Sequence, residues 1–130
     1  MNPDISSRSD ITILVNTFYE KIRTNELLGP IFNKMIPENE WPVHLEKLTD
    51  FWETNLFGIP KFKGNPTQKH LNTDKAHHYG IHQNHFDTWL DIWKTTIDSL
   101  YSGDLATRAK MSAYSIAQIQ NMVISRNKPQ

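Results

Sequence analysis

Residues 84–100 read NHFDTWLDIWKTTIDSL, and they carry the strongest helical pattern in the chain. Large apolar side chains recur there at spacings of three and four residues: Phe86, Trp89, Leu90, Trp93, Ile97 and Leu100. This spacing places them along one face of an α-helix, because a helix turns once in about 3.6 residues. The segment therefore predicts an amphipathic helix that packs against a core and ends before Gly103.

Similar helical patterns lie on both sides of this segment. One runs from a cap at Ser9 or Asp10 to Asn25, and another begins near Trp41 and stops before Pro60. A short apolar turn is expected at residues 31–32, and a last helix over 104–124. That helix should bury Leu105, Ala109, Ala113, Ile116, Ile119 and Val123. No pair of strands is predicted, so the fold class is all-α.

The length and composition indicate one small domain with few options for its chemistry. The 130 residues predict a single unit over 1–130, with a polar N-terminal extension at 1–9 and a frayed tail at 126–130. Basic and acidic residues are balanced at 14 each, which argues against a nucleic-acid partner. The absence of both a signal-peptide pattern and a membrane-length apolar run predicts a cytoplasmic protein with no membrane partner.

Six histidines in a chain without cysteine are the first chemical lead. A neutral imidazole is a good ligand for iron or zinc. His44 shares a helical stripe with Leu48 and Phe51, so it is either a partly buried histidine or a ligand-facing one. His70 would be a surface histidine if judged alone. His78, His82 and His85 have a spacing that could bind zinc, although Gly80 interrupts it and loop histidines are the simpler interpretation.

Tyr19 and Trp89 are the second lead, since each joins a hydrogen-bond donor to a large apolar body. Tyr19 follows Phe18 on the first helix and can share its broad buried face. Either side chain could be core with its donor tied to a carbonyl, or could direct that donor into a pocket. Phe51 and Trp52 are most simply core residues. No nucleophilic triad, phosphate loop or paired carboxylates stand out.

Taken in order, four segments resemble the truncated haemoglobins, and group III of that family most closely. Residues 18–23 (FYEKIR) with 28–32 (LGPIF) resemble the first helix and the corner after it. Residues 41–44 (WPVH) with 51–52 (FW) and 56–58 (LFG) resemble the distal helix. Residues 63–66 (KGNP) with 69–71 (KHL) resemble the segment with the iron-binding histidine, and 85–90 (HFDTWL) the helix that closes the distal pocket.

This resemblance covers about residues 10–125 and implies a two-over-two helical sandwich around a haem. It implies that His70 is the proximal iron ligand, with His77 and His78 as alternatives because the connection to His85 is longer than usual. Other residues would take the following positions: Tyr19, His44 and Trp89 on the distal side, and Phe32, Phe18, Phe51 and Trp52 around the haem.

The expected function is reversible binding of oxygen or another diatomic gas by a haem b. The haem would be held non-covalently, because no cysteine can tether it. An alternative is a haem enzyme for nitric oxide dioxygenation, or for peroxide or nitrite chemistry, since the same donors serve both. A second alternative is a non-haem metal-binding module that uses the histidines between His77 and His85. The expected partners are oxygen, CO or nitric oxide and a reductase, and the expected state is a monomer or weak dimer.

Overall fold

The computed structural model describes residues 2–59 and 83–127, with side chains as far as residue 122 in the last helix. Its elements are the helices α1 (Arg8–Thr24), α2 (Gly29–Met35), α3 (Trp41–Phe57), α4 (Gln83–Leu100) and α5 (Asp104–Asn127), with a 3-10 turn at Glu38–Glu40. Every element of these two ranges is helical, which confirms the predicted all-α class.

Helix α1 lies at the centre of the packing. The apolar side chains that recur along it at helical spacing are all fully buried: Ile11, Leu14, Val15, Phe18 and Ile22. It contacts α2, α3 and α4, while α5 packs against α4 and α3. The described helices therefore form two pairs, α1 with α3 and α4 with α5, that meet over a shared core.

The ends of the helices follow from their sequences. The Asn25 side chain accepts hydrogen bonds from the backbone N–H groups of Leu27 and Leu28, both at 2.9 Å, and so turns the chain after α1. Pro42 lies in the first turn of α3, where a missing N–H costs nothing. Gly58 ends α3 in the left-handed region, with φ at 72°, which glycine adopts without steric cost.

One difference from the sequence predictions concerns α2. Ile31 and Phe32 belong to α2 rather than to a turn, because Pro30 occupies its first turn and favours a helical start. Helix α2 then lies so close to α1 that a Cβ on Gly29 would stand 2.6 Å from the Arg23 carbonyl oxygen.

The buried face of α5 was also predicted in part incorrectly. Ile119 was expected to point inward, but it is 56% exposed. The inward face carries small residues instead: Ala106, Ala109, Ala113 and Ala117. Their small side chains let α5 approach the large rings of its neighbours. The side chains that fill this interface therefore belong to the other helices.

The N-terminal residues close the molecule at the corner between α4 and α5. Asp4 accepts hydrogen bonds from the backbone N–H groups of Leu105 (3.0 Å) and Ala106 (2.9 Å) at the start of α5. The Ser102 backbone N–H donates to the Pro3 carbonyl at 2.9 Å, and Ile5 is only 2% exposed. The polar start of the chain is thus packed onto the helical core.

None of the helices in the described ranges has the length and apolar character needed to cross a membrane.

Candidate functional site

Aromatic rings from four helices meet at one end of α1 and form what we call the ring cluster. Tyr19 lies near its middle, with ring centroids 4.8 Å from Phe18, 5.9 Å from Phe32 and from Trp41, and 6.1 Å from His44. The members are Phe18 and Tyr19 of α1, Phe32 of α2, Trp41 and His44 of α3, and Trp89 of α4.

Tyr19 is a polar group in an apolar surrounding. Only 7% of the residue is exposed, and burial raises the pKa of its phenol far above the usual value of 10.0. A hydrogen bond from the Trp89 side chain acts in the opposite direction, because it stabilises the phenolate. The Trp89 indole can only donate, and the Tyr19 hydroxyl can donate as well as accept.

The rings behind Tyr19 form a tight stack that belongs to the core. Phe18 meets Trp93 edge to face at 4.8 Å and Trp89 at 5.5 Å. Trp93 lies against Trp52 at 4.7 Å and donates its indole N–H to the Ala109 carbonyl at 3.1 Å. Trp93 therefore has its donor satisfied inside the fold, which distinguishes it from Trp89 one turn earlier on α4.

His44 occupies the first turn of α3, half-buried beside Trp41. The two rings meet edge to face with their centroids 5.5 Å apart. Leu48 and Phe51, on the same stripe of α3, are also half-buried. The stripe predicted from the sequence thus exists, and it brings His44 into contact with Tyr19.

Several apolar side chains next to the cluster are packed on one side only. Half-buried residues of this kind come from three helices: Phe32, Leu48, Phe51, Trp89 and Leu90. Fully packed core residues in this chain are less than a tenth exposed, so these side chains offer an apolar surface that a flat hydrophobic group could cover.

Comparison with known proteins identifies the family. No protein-family model matches the chain. A group 3 truncated haemoglobin of Campylobacter jejuni is 32% identical over 120 residues, which span 90% of this chain and 91% of the relative. The crystal structure of a group III truncated haemoglobin from the same organism superposes with a TM-score of 0.82 at 31% identity, covering 95% of each chain.

The chain belongs to the group III truncated haemoglobins. Its helical architecture is accordingly that of a truncated globin, as the sequence predicted. Membership of a haemoglobin family implies a haem group. The residues present fit one, because a planar apolar macrocycle matches the half-buried aromatic and aliphatic surface, and the donors of buried Tyr19 and half-buried Trp89 suit a polar ligand beside it.

The predicted residues of this truncated haemoglobin fall into three groups. Tyr19, His44, Trp89, Phe18 and Phe32 meet in the ring cluster. Phe51 and Trp52 pack against each other at 5.3 Å, and Trp52 is 4% exposed in the core stack. The predicted iron ligand His70, its alternatives His77 and His78, and also His82 lie outside the described residues.

The proposed zinc cluster is only partly covered by the described ranges. His85 lies on α4 and is half-buried. Over residues 2–59 and 83–127, no three side chains of the metal-binding kinds come together.

Trp41 and Arg23 are members of the site that the sequence did not reveal. Trp41 is 2% exposed, and the Arg23 guanidinium lies 4.6 Å from the centre of its ring. The sequence signal for Trp41 is its position three residues before His44, which places both on one face of α3. Arg23 carried no signal, because a basic residue in the last turn of a helix is ordinary.

Proposed function

We propose that this truncated haemoglobin holds one non-covalent haem b and reversibly binds oxygen or another diatomic gas beside Tyr19, Trp89 and His44. The observation that carries the proposal is the Tyr19 hydroxyl, which is buried among aromatic rings, with Phe18 contacting both Tyr19 and Trp89. Burying polar donors costs free energy unless they find a partner. A polar ligand at this position would supply one.

His70 is proposed as the residue that would bind the haem iron. The support is its sequence context, a Gly-Asn-Pro segment that resembles the family's iron-binding segment, together with the family membership of the chain. When bound, the haem supplies an iron centre that takes a diatomic ligand. Phe32, Phe51 and Phe18 would contribute the apolar wall that keeps bulk water away.

Tyr19 and Trp89 act as a pair in this proposal. Each presents a hydrogen-bond donor, a phenol hydroxyl or an indole N–H, on a large apolar body of the same core. A bound diatomic ligand with partial negative charge is stabilised by such a donor, and each charge-assisted hydrogen bond contributes about 1.5–3 kcal/mol. A bound ligand with little charge separation gains much less.

His44 is proposed as a mobile gate that also faces the ligand. It lies in the first turn of α3, where the backbone N–H groups have no partner within the helix. An imidazole at this position can move aside without disturbing the core behind Tyr19.

The proposal also includes a separate reductase that returns the iron to its ferrous form, a cytoplasmic location, and a monomer or weak dimer in solution. The balanced charge of the chain gives it no strong preference for an acidic or a basic partner.

The first test is haem binding itself. The purified protein should bind one haem per chain, show a Soret band, and release the haem into acidified acetone, because the chain has no cysteine. His70→Ala should bind haem weakly, with partial rescue by imidazole, while His77→Ala and His78→Ala serve as matched controls and should bind normally. Loss of haem in one of these controls but not in His70→Ala would show that the axial ligand is a different histidine.

The second test separates hydrogen bonding from packing at the distal side. Tyr19→Phe and Trp89→Phe should each speed oxygen release by roughly ten- to a hundredfold, since each weakens a charge-assisted bond of about 1.5–3 kcal/mol. CO release should change far less. The double variant should fall short of the product of the two effects, because both donors address one ligand and each can adjust to the loss of the other.

Stopped-flow release of oxygen and CO measures both quantities. Tyr114→Phe is the matched control, since Tyr114 lies on α5 and is 58% exposed. Equal changes in oxygen and CO release would show that Tyr19 and Trp89 act by packing, and the hydrogen-bonding account would be wrong.

A further inference from the structure

Trp41 forms one wall of the ring cluster without being anchored by a hydrogen bond. Its ring contacts Tyr19 at 5.9 Å and His44 at 5.5 Å, and 2% of the residue is exposed. Among the residues that the structure describes, its buried indole nitrogen has no acceptor. Trp93, by contrast, is fixed by its bond to Ala109. The orientation of Trp41 must therefore come from the groups that pack on it.

Arg23 packs on the remaining face of Trp41. Its guanidinium carbon lies 4.6 Å from the ring centre, in the geometry of a cation–π contact. The Arg23 side chain is 31% exposed, so it covers the indole from the solvent side. Tyr19 and His44 contact the same ring from within the cluster.

Three hydrogen bonds hold Arg23 in this position. Its Nε donates to the Asn33 Oδ1 at 3.2 Å, and the Asn33 Nδ2 donates back to the Arg23 carbonyl at 3.0 Å. A terminal guanidinium nitrogen donates to Glu38 at 2.5 Å. The Glu38 side chain is 85% exposed, so this ion pair is screened by water and contributes little. The planar guanidinium and Asn33 are the parts that fix the geometry.

We propose that Arg23 is a positioning residue that holds Trp41 against Tyr19 and His44. It thereby sets how far the proposed gate residue His44 can move. This inference rests on the proposed function for its consequence in ligand entry, but the restraint on Trp41 is a property of the fold. It assigns to α2, through Asn33, the task of holding Arg23 against the outer side of the ring cluster.

The Arg23 side chain has room to move away from the Trp41 ring. A surface groove of about 560 Å³ is lined by Tyr19, Arg23, Asn33, Glu38 and Leu45 among others. A guanidinium that leaves the Trp41 ring can enter this groove without displacing backbone. Trp41 would then lose its contact with Arg23, and His44, which packs against Trp41, would be held less firmly as well.

The test follows the indole N–H of Trp41 by NMR in the CO-bound ferrous protein, with its signal assigned by its loss in Trp41→Phe. Arg23→Ala should speed hydrogen exchange at this N–H by about two- to fivefold, as expected for the loss of one cation–π contact. Arg23→Lys should do nearly the same, because an ammonium keeps the charge but not the planar stack. Glu38→Gln should stay close to wild type.

Arg108→Ala is the matched control, since Arg108 is an exposed arginine on α5. If Trp41 exchange in Arg23→Ala and Arg23→Lys equals that in Arg108→Ala, the proposal is wrong. CO association is measured in the same variants, with His44→Leu beside them, and should rise in both Arg23 variants. Unchanged association in His44→Leu would overturn the gate while leaving the Trp41 result to decide the role of Arg23.

Discussion

Tyr19 places an ionisable hydroxyl on the buried face of α1. Burial raises the pKa of its phenol, and the hydrogen bond from Trp89 offsets only part of that effect. The side chain is consequently a neutral donor throughout the physiological pH range. This matters for the proposed function, because a phenolate at the same position would repel a ligand with partial negative charge.

The raised pKa of Tyr19 predicts a loss of stability in alkali. In the unfolded chain its phenol ionises near pH 10.0, whereas in the folded protein it stays protonated well above that pH. The unfolded state therefore binds fewer protons above pH 10, and the free energy of unfolding falls as pH rises. One such group contributes a slope of up to about 1.4 kcal/mol per pH unit.

Urea unfolding of the wild type and Tyr19→Phe at several pH values above 10 measures this contribution. The free energy of unfolding should fall less steeply with pH in the variant than in the wild type. The difference in this free energy between the two proteins should therefore shrink as the pH rises. Tyr101, whose pKa is also raised by burial, is present in both proteins and its effect cancels in the comparison. Parallel curves would mean that Tyr19 ionises in the folded state near its ordinary pKa.

Individual site residues were predictable to different degrees. Tyr19 and Trp89 could be proposed from sequence, since each has a donor on an apolar stripe of a helix. Arg23 could not, because its role depends on contacts with Asn33 and Trp41, which belong to later helices and meet Arg23 only in the folded chain. The pattern within one helix shows which side chains point inward, but it does not show which residues of other helices they meet.

At the level of elements, helices with large apolar residues were predicted well and the last helix less well. In α4 the bulky residues form one stripe, so period and burial agree. In α5 the buried face consists of alanines, while Met111, Tyr114, Ile119 and Met122 are exposed. The sequence pattern therefore placed Ala109 and Ala113 on the correct face but wrongly extended that face to Ile119.

The start of α5 depends on a residue from the opposite end of the chain. Asp4 accepts the backbone N–H groups of Leu105 and Ala106, which otherwise have no partner in a first helical turn. Partial desolvation acts to raise the pKa of Asp4, but these bonds and the one from Ile5 outweigh it, and the pKa is lowered.

Asp4→Ala should cost about 1 kcal/mol of stability at neutral pH, the usual effect of losing a helix cap. Because the folded-state pKa is lowered, the contribution is complete above the unfolded value of 3.8 and disappears as pH falls through the folded value. Urea unfolding at pH 7 and at about pH 3 measures both. Asp104→Ala, an exposed change on the same turn, is the comparison. A penalty that persists undiminished at the lowest pH would contradict the cap.

At the scale of the whole molecule, the site exists only because distant segments converge on α1. The ring cluster draws on α1, α2, α3 and α4, and the N-terminal residues tie the corner between α4 and α5 to the start of α1. The Tyr101 hydroxyl donates to the Asp10 carbonyl at 2.9 Å and strengthens this closure. Tertiary closure of this kind has no periodic signature in a sequence.

Ile5 tests whether this closure stabilises the fold separately from the ligand site. It is 2% exposed and belongs to the main core, although it stands in a polar stretch of sequence. Ile5→Ala should lower the free energy of unfolding by about 2–5 kcal/mol, the range for truncating a buried isoleucine. Ile13→Ala, at a position 50% exposed, should change it by less than about 0.5 kcal/mol.

The same Ile5→Ala protein should keep wild-type CO association and oxygen release, measured well below its unfolding temperature. The reason is spatial, because its neighbours Pro3 and Asp4 bond to the α4–α5 corner and Ile5 is not a member of the ring cluster. A loss of stability with unchanged kinetics would show that the N-terminal residues serve folding alone. Altered oxygen release at full haem occupancy would instead show that the corner is coupled to the ring cluster through α4, whose Trp89 and Trp93 lie 6.1 Å apart.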